Sequence, residues 1–144
     1  MRRVSGKLAD ARGFTLVELL VCLLILSILA AIALPAWLDQ RAKGEDAEAK
    51  LTIRTAVIAL QAHENETGSY DATPAELRAI EPSLVKAIDL RVSGDEDEYE
   101  IRERSAATTD FWMTRAPDGT VTRDCSNHGY GLCRGAADDD GDHW

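Results

Sequence analysis

The chain has 144 residues, of which 45% are hydrophobic, and a formal net charge of −9. This length excludes two full-sized domains and leaves about 100 residues for one soluble core beside any apolar anchor. Residues 39–144 carry 12 basic and 23 acidic side chains, an acidic excess that excludes the basic footprint of a surface that binds nucleic acid directly.

The first predicted element is a transmembrane helix over residues 14–38. Nineteen residues from Leu19 to Trp37 carry no charge, close to the ~20 that span a bilayer core as a helix. Residues 1–12 carry four basic side chains and one acidic one, a flank that favours a cytoplasmic N-terminus and an external C-terminal part. Cleavage after "AAIALPAW" as an ordinary secretory signal is the alternative, although the apolar run is longer than such signals need.

Two residues in this apolar run attract notice. Glu18 places a carboxylate in lipid, which costs ~2.5 kcal/mol or more and usually marks a function. Pro35 removes a backbone hydrogen bond, at ~3 kcal/mol in a helix interior, and predicts a kink or local unwinding near residues 32–35.

The helix is predicted to continue as an amphipathic half over residues 39–68. Apolar residues recur there at the spacing of one helical face, at Ile53, Ala56, Val57 and Leu60. Residues 45–50 and Arg54 are assigned to the polar side. Gly68 is the predicted stop.

A small head is predicted over residues 69–137. Thr73-Pro74-Ala75-Glu76 is typical of a helix start, and Pro82 of its end. Four strands with a period of two then follow, marked by Ile88, Leu90 and Val92, by Tyr99 and Ile101, by Phe111–Met113, and by Val121. The predicted fold is α+β: a long N-terminal helix packed on a small antiparallel sheet, followed by a solvated acidic tail over residues 138–144.

The cysteines are consistent with export. Cys125 and Cys133 have seven residues between them, and Cys22 lies in the apolar run, out of their reach. A Cys125–Cys133 disulfide would close a surface loop, at ~2–3 kcal/mol of stabilisation, in an oxidising compartment. Two free thiols are the alternative. The pair together with His128 does not form a recognised zinc pattern.

The stretch Arg12-Gly13-Phe14-Thr15-Leu16-Val17-Glu18, with the apolar run behind it, resembles the N-terminal signature of type IV pilins and pseudopilins. Pro35 matches the proline that this family carries late in its hydrophobic segment. "GSYD", after the predicted helix, departs from a Gly-x-Tyr-Pro pattern common in the family, which weakens assignment to one subfamily. The Cys125–Cys133 loop resembles the C-terminal disulfide loop of many type IV pilins.

The resemblance implies processing and assembly. A prepilin peptidase would cut between Gly13 and Phe14, removing residues 1–13 as a leader, and the new Phe14 amine would be methylated. Glu18 would then accept the Phe14 amine of a neighbouring subunit and set its axial position. Pairing within one chain, or extension of Glu18 to the lipid headgroups, are the alternatives.

The function implied is that of a structural subunit of a type IV pilus-like surface filament, a homo-oligomer built on packed N-terminal helices. Its partners would be the peptidase, an assembly ATPase, inner-membrane platform proteins, and membrane lipid before assembly. The chain would begin as a single-pass cytoplasmic membrane protein and end in an extracellular filament. A pseudopilin of a type II secretion or DNA-uptake system, with a periplasmic fibre, is one alternative. A membrane-anchored adhesion module that never polymerises is another.

No catalytic triad, phosphate loop or pair of catalytic carboxylates stands out, so neither enzymatic activity nor a cofactor is expected. Calcium is a possible exception, because it prefers oxygen ligands and major pseudopilins of the resembled family often bind it near the C-terminus. The candidates are Asp138, Asp140 and Asp142. They lack the EF-hand pattern, and a solvated acidic tail is the competing interpretation.

Overall fold

The computed structural model describes residues 13–134 and Trp144. Its elements are two α-helices, a 3₁₀ helix at Pro82–Lys86, and four strands: α1 Leu16–Thr67, α2 Pro74–Ile80, β1 Arg91–Gly94, β2 Tyr99–Arg104, β3 Asp110–Arg115 and β4 Val121–Cys125. The chain divides after Trp37 into an N-terminal unit and a C-terminal unit.

The N-terminal unit is the apolar first part of α1. By length and composition α1 contains a segment able to cross a membrane, and none of that segment is buried within the protein. The helix continues through Pro35 without a break. Local unwinding near residues 32–35 is therefore not observed, and a kink at Pro35 stays a prediction.

The C-terminal unit is a helix-on-sheet head whose core lies between the second part of α1 and the sheet. From α1, Ile53, Ala56 and Leu60 are fully buried. The strands form an antiparallel meander in the order β1-β2-β3-β4, and Ile101 lies opposite Met113 on its neighbour. The predicted α+β class, with a long helix packed on a small antiparallel sheet, is confirmed.

Strand β2 shows how the sheet separates core from solvent. Tyr99, Ile101 and Glu103 are buried, whereas the alternate residues Glu100 and Arg102 are partly exposed. Because successive side chains of a strand point to opposite faces, the buried set faces the core. One carboxylate, that of Glu103, lies among these core-facing positions.

The connector between α1 and the sheet follows its local sequence signals. Gly68, with φ of +80°, ends α1 as predicted. Thr73 and Glu76 form a capping box at the start of α2: the Thr73 N–H donates to Glu76 Oε2 at 2.8 Å and the Glu76 N–H donates to Thr73 Oγ1 at 3.3 Å. The predicted short helix ends at Ile80, before Pro82.

Two predictions about the head are wrong in detail. The first strand begins at Arg91, whereas Ile88 precedes it and is 62% exposed. The Ile88 N–H is taken by Glu103 Oε1 at 2.7 Å, so it does not join the sheet. Asp46, assigned to the polar side of α1, is completely buried, because its carboxylate has partners inside the head.

Candidate functional site

Thr15 and Glu18 form a capping box at the N-terminus of α1. The Thr15 N–H and Oγ1 both donate to Glu18 Oε2, at 2.9 and 2.8 Å, and the Glu18 N–H donates back to Thr15 Oγ1 at 3.2 Å. This cap was not predicted from the sequence, although Thr-x-x-Glu before an apolar run is its signature. In this structure the partner of Glu18 is thus its own helix terminus.

The cap uses only part of the Glu18 carboxylate. Both hydrogen bonds from Thr15 end on Oε2, and Oε1 accepts none from residues 13–134 or Trp144. A carboxylate oxygen has more than one acceptor position. Glu18 can therefore keep the cap and still accept a donor from another chain.

The apolar segment that contains this cap, residues 13–38, is exposed along its whole length. Every residue from 13 to 38 is exposed, and Phe14 is 78% exposed. Gly13 and Phe14 precede the first residue of α1, Leu16, so the peptide bond between them lies outside the helix. An apolar surface this extensive requires lipid or protein to cover it.

The C-terminal loop is closed by a disulfide between Cys125 and Cys133, with a Cα–Cα distance of 5.8 Å. The predicted bridge is confirmed, and Cys22 is a free thiol. Within the described residues, His128 lies close enough to both sulfurs to suggest a metal cluster. Because the sulfurs are bonded to each other, neither offers a thiolate, and the group does not fit a metal. His128 contacts Asp124 at 2.8 Å instead.

Two charged residues of α1, Asp46 and Lys50, form hydrogen bonds with this disulfide loop. Asp46 accepts from Ser105 Oγ at 2.7 Å and from the Leu132 N–H at 3.0 Å. Lys50 donates to the Leu132 carbonyl at 2.6 Å and lies 5.0 Å from the centre of the Phe111 ring. Both backbone groups of Leu132 are thereby satisfied by one face of the helix.

Trp144 lies on the sheet rather than in a solvated tail, which corrects the prediction for that residue. Its indole N–H donates to the carbonyls of Asp124, at 2.9 Å, and of Trp112, at 3.2 Å. Its ring meets Phe111 edge-on, with centroids 6.0 Å apart. The calcium candidates Asp138, Asp140 and Asp142 lie outside the described residues.

Comparisons with known proteins agree with this site. Residues 8–34 match the family described as the prokaryotic N-terminal methylation motif. The chain is 32% identical over 100 residues to the type IV major pilin protein PilA of Myxococcus xanthus, covering 69% of this chain and 45% of that protein. It is 33% identical over 71 residues to the type IV wide pilus major component PilA4 of Thermus thermophilus, covering 49% and 54%. It is also 33% identical over 88 residues to the type IV major pilin protein PilE1 of Neisseria gonorrhoeae, covering 56% and 52%.

In its exposed apolar helix, its carboxylate cap and the matched residues 8–34, the chain resembles the class of proteins that carry the prokaryotic N-terminal methylation motif. Within that class, the chain is homologous to type IV major pilins. It spans about half the length of the curated relatives it matches.

Proposed function

We propose that this chain is a structural, non-enzymatic subunit of a type IV pilus, joined to other copies through its N-terminal helix. The observation that carries the proposal is the apolar segment 13–38, in which every residue is exposed, which begins at a carboxylate cap and which overlaps the methylation motif at residues 8–34. The names of the three relatives described above point the same way, since each of those proteins is a major pilin or pilus component.

Processing is proposed at the bond between Gly13 and Phe14, by a prepilin peptidase on the cytoplasmic side. Both residues are exposed and precede the first turn of α1, so a protease cleft can reach the bond without unwinding the helix. Cleavage would leave a free amine on Phe14, next to Thr15 and its cap, and that amine would be methylated.

Assembly is proposed to pair this amine with Glu18 of a neighbouring copy. Bringing two opposite charges together in an apolar setting lowers the cost that each bears alone, and it fixes their relative position. The cap reduces the cost for Glu18 in the unassembled subunit, and the open Oε1 leaves it able to accept the incoming amine. The two interactions can coexist on one carboxylate.

Membrane lipid would cover segment 14–38 before assembly and neighbouring helices would cover it afterwards. Because lipid is as apolar as the filament interior, this exchange supplies little driving force. The proposal therefore includes an assembly ATPase and inner-membrane platform proteins as partners. The topology proposed is a cytoplasmic N-terminus with an external head, since residues 1–12 are basic.

The experiment is expression of the full chain in a bacterial host with a type IV pilus machine, followed by shearing of the cells. Electron microscopy of the sheared material should show long filaments, and intact mass of their main band should begin at Phe14. Short fibres retained in the periplasm would identify a pseudopilin instead. Processed chain that stays monomeric in the membrane would identify an anchored module.

A further inference from the structure

A shallow groove opens on the surface of the head where α1 lies beside two loops. Its lining residues come from all three segments: Leu38, Arg41 and Glu45 of α1, Ala106 and Ala107 from the turn after β2, and Tyr130 from the disulfide loop. The groove has a volume of about 410 Å³. Leu38 and Tyr130 are 50% and 53% exposed, so one groove presents an aliphatic and an aromatic side chain to the surroundings.

The disulfide loop holds Tyr130 at this groove through its backbone. The Tyr130 N–H donates to the Asn127 carbonyl at 3.1 Å, and the Tyr130 carbonyl accepts from the Cys133 N–H at 3.0 Å. Leu132, two residues further on, is bonded to Asp46 and Lys50 of α1. The position of Tyr130 beside the helix is therefore set by contacts within the head.

Leu38 determines the depth of this groove relative to a membrane. No charged residue lies between Glu18 and Asp39, and the intervening ~20 residues measure ~30 Å as a helix, which is the thickness of a bilayer core. With this run in lipid, Leu38 is its last residue and lies at the outer boundary of the hydrocarbon. This depth follows from the continuity of the chain, because Leu38 is bonded directly to Trp37, the last residue of the N-terminal unit. Residues that share a groove with Leu38 are therefore within reach of lipid headgroups.

The charges on α1 beside this groove cancel, in contrast to those of the head as a whole. Arg41 pairs with Glu45 at 2.8 Å, and Lys43 pairs with Asp39 at 2.7 Å. Residues 39–144 together carry 12 basic and 23 acidic side chains, and such an excess is repelled by the negative surface of a membrane that contains anionic lipid. A face with balanced charge can approach lipid headgroups without this repulsion.

We propose that, in the unassembled subunit, the face formed by Leu38, Ala106, Ala107 and Tyr130 contacts the phospholipid headgroups of the membrane that holds α1. Tyrosine is enriched at the membrane–water interface, because its ring is apolar and its hydroxyl is polar. The small side chains of Ala106 and Ala107 leave room for the lipid surface to approach the turn. The contact rests on the proposed function, whose topology places the head directly outside the bilayer. It gives the stored subunit a defined resting position that assembly into a filament has to break.

The test measures how close two turns of the head lie to lipid, with the full chain in vesicles of phosphatidylcholine and phosphatidylglycerol. Ala106→Cys and Thr120→Cys, each in a Cys22→Ser background, place a fluorophore at exposed positions near opposite ends of β3, which are ~20 Å apart. A nitroxide on the lipid headgroups should quench the label at position 106 at least about threefold more than the label at 120, because the interfacial layer is only ~5–8 Å thick. The Cys22→Ser chain alone should take up no label, since Cys125 and Cys133 are bonded to each other.

Two substitutions of Tyr130 then test its part in the contact, with the label kept at position 106. Tyr130→Glu places a negative charge at the lipid surface and should remove most of the extra quenching, whereas Tyr130→Trp should retain it because tryptophan also favours the interface. Val121→Glu, which adds the same charge at an exposed position next to the other turn, is the matched control and should leave the quenching unchanged.

Equal quenching at positions 106 and 120 would overturn the inference, and this comparison does not depend on any Tyr130 variant. Weak quenching at 106 that increases when the chain is diluted in lipid would show that a second copy covers the face, which also overturns it. Undiminished quenching in Tyr130→Glu would remove Tyr130 from the contact and refute the face as drawn. Because the vesicles contain no assembly machine, each of these results leaves the filament function intact. A lack of filaments in the shearing experiment would overturn that function without changing the quenching.

Discussion

The carboxylate of Asp46 lies 3.0 Å from the backbone nitrogen of Leu132, a residue 86 positions further along the chain. Its second oxygen accepts from Ser105 at 2.7 Å. One buried side chain of α1 thus binds both Ser105, which directly follows β2, and Leu132 in the disulfide loop.

Asp46→Ala should destabilise the head by ~2–4 kcal/mol, because it leaves the buried Ser105 hydroxyl and the partly buried Leu132 N–H without an acceptor. Thermal unfolding of the detergent-solubilised chain measures this. Glu66→Ala removes an exposed carboxylate from the same helix and should change stability by less than about 0.5 kcal/mol. Equal effects of the two variants would contradict the role given to Asp46.

Gly131 and Gly129 provide a matched pair in the loop. Both have positive φ, +60° and +84°, but a Cβ on Gly131 would collide with the Asp46 carboxylate, whereas one on Gly129 meets open space. Gly129→Ala should cost ~1 kcal/mol from backbone strain alone, and Gly131→Ala roughly 1–3 kcal/mol more. Denaturant titration of both variants measures the difference, and identical midpoints would refute the close approach.

Glu18→Gln and Thr15→Ala distinguish the effect of the Glu18 negative charge from the effect of the capping hydrogen bonds at the start of α1. Glutamine at this position can keep the capping hydrogen bonds but cannot pair as an anion with the Phe14 amine, so filament yield should fall by about tenfold or more. Thr15→Ala removes the cap at ~1 kcal/mol and should lower yield much less. If Thr15→Ala is the more harmful change, Glu18 acts mainly through the helix terminus.

Removal of the disulfide by Cys125→Ala with Cys133→Ala should lower the free energy of unfolding by ~2–3 kcal/mol. Treatment of the wild type with a reductant should give a similar loss. Cys22→Ser, at the exposed free thiol, serves as the control and should leave head stability unchanged. A reduced chain as stable as the oxidised one would show that Asp46 and Lys50 hold the loop without the bridge.

Stability should depend on pH through Glu103. Burial raises the pKa of its carboxyl above the ordinary value of 4.5, and the N–H groups of Ile88 and Asp89 oppose this only in part. The folded chain therefore keeps this proton to higher pH than the unfolded chain. The stabilisation that the folded state gains from protonated Glu103 is complete below pH 4.5. It is lost as the pH rises through the folded-state pKa of this carboxyl group.

The corresponding measurement is the free energy of unfolding of the wild type minus that of Glu103→Gln, followed from about pH 4 to about pH 7. This difference should fall as pH rises. Glu100→Gln, on the outward face of the same strand, controls for the loss of one carboxyl group. A difference that is constant over this range would show that Glu103 does not titrate as its burial requires.

Much of the fold follows from local pattern. The spacing of Ile53, Val57 and Leu60 predicts a helical face that packs on a sheet, and the alternation at Tyr99 and Ile101 predicts a strand with one buried side. These signals are sufficient because each period is set by backbone geometry within a few residues. The alternating pattern wrongly predicts that Ile88 belongs to the first strand. The N–H of Ile88 donates to the side chain of Glu103 and not to a neighbouring strand.

What could not be predicted depends on partners distant in sequence. The sequence predicts Asp46 to be on the polar face, because the two donors to its carboxylate are far away in sequence. Ser105 lies 59 positions away and Leu132 lies 86 positions away. Trp144 follows an acidic stretch, and only the folded sheet presents the carbonyls that hold its indole. The cap at Thr15 is different, because its signature, Thr-x-x-Glu before an apolar run, lies within four residues of sequence and makes it predictable.

The buried side chains of the described residues all lie between Ala42 and Trp144, and none belongs to the apolar segment before them. The head therefore draws its core entirely from its own unit. Substitutions in the apolar segment before Ala42 therefore leave the core of the head unchanged. Substitutions at outward-facing positions of the head likewise leave the apolar segment unchanged. One uninterrupted helix thus carries two stretches of sequence that selection can alter separately.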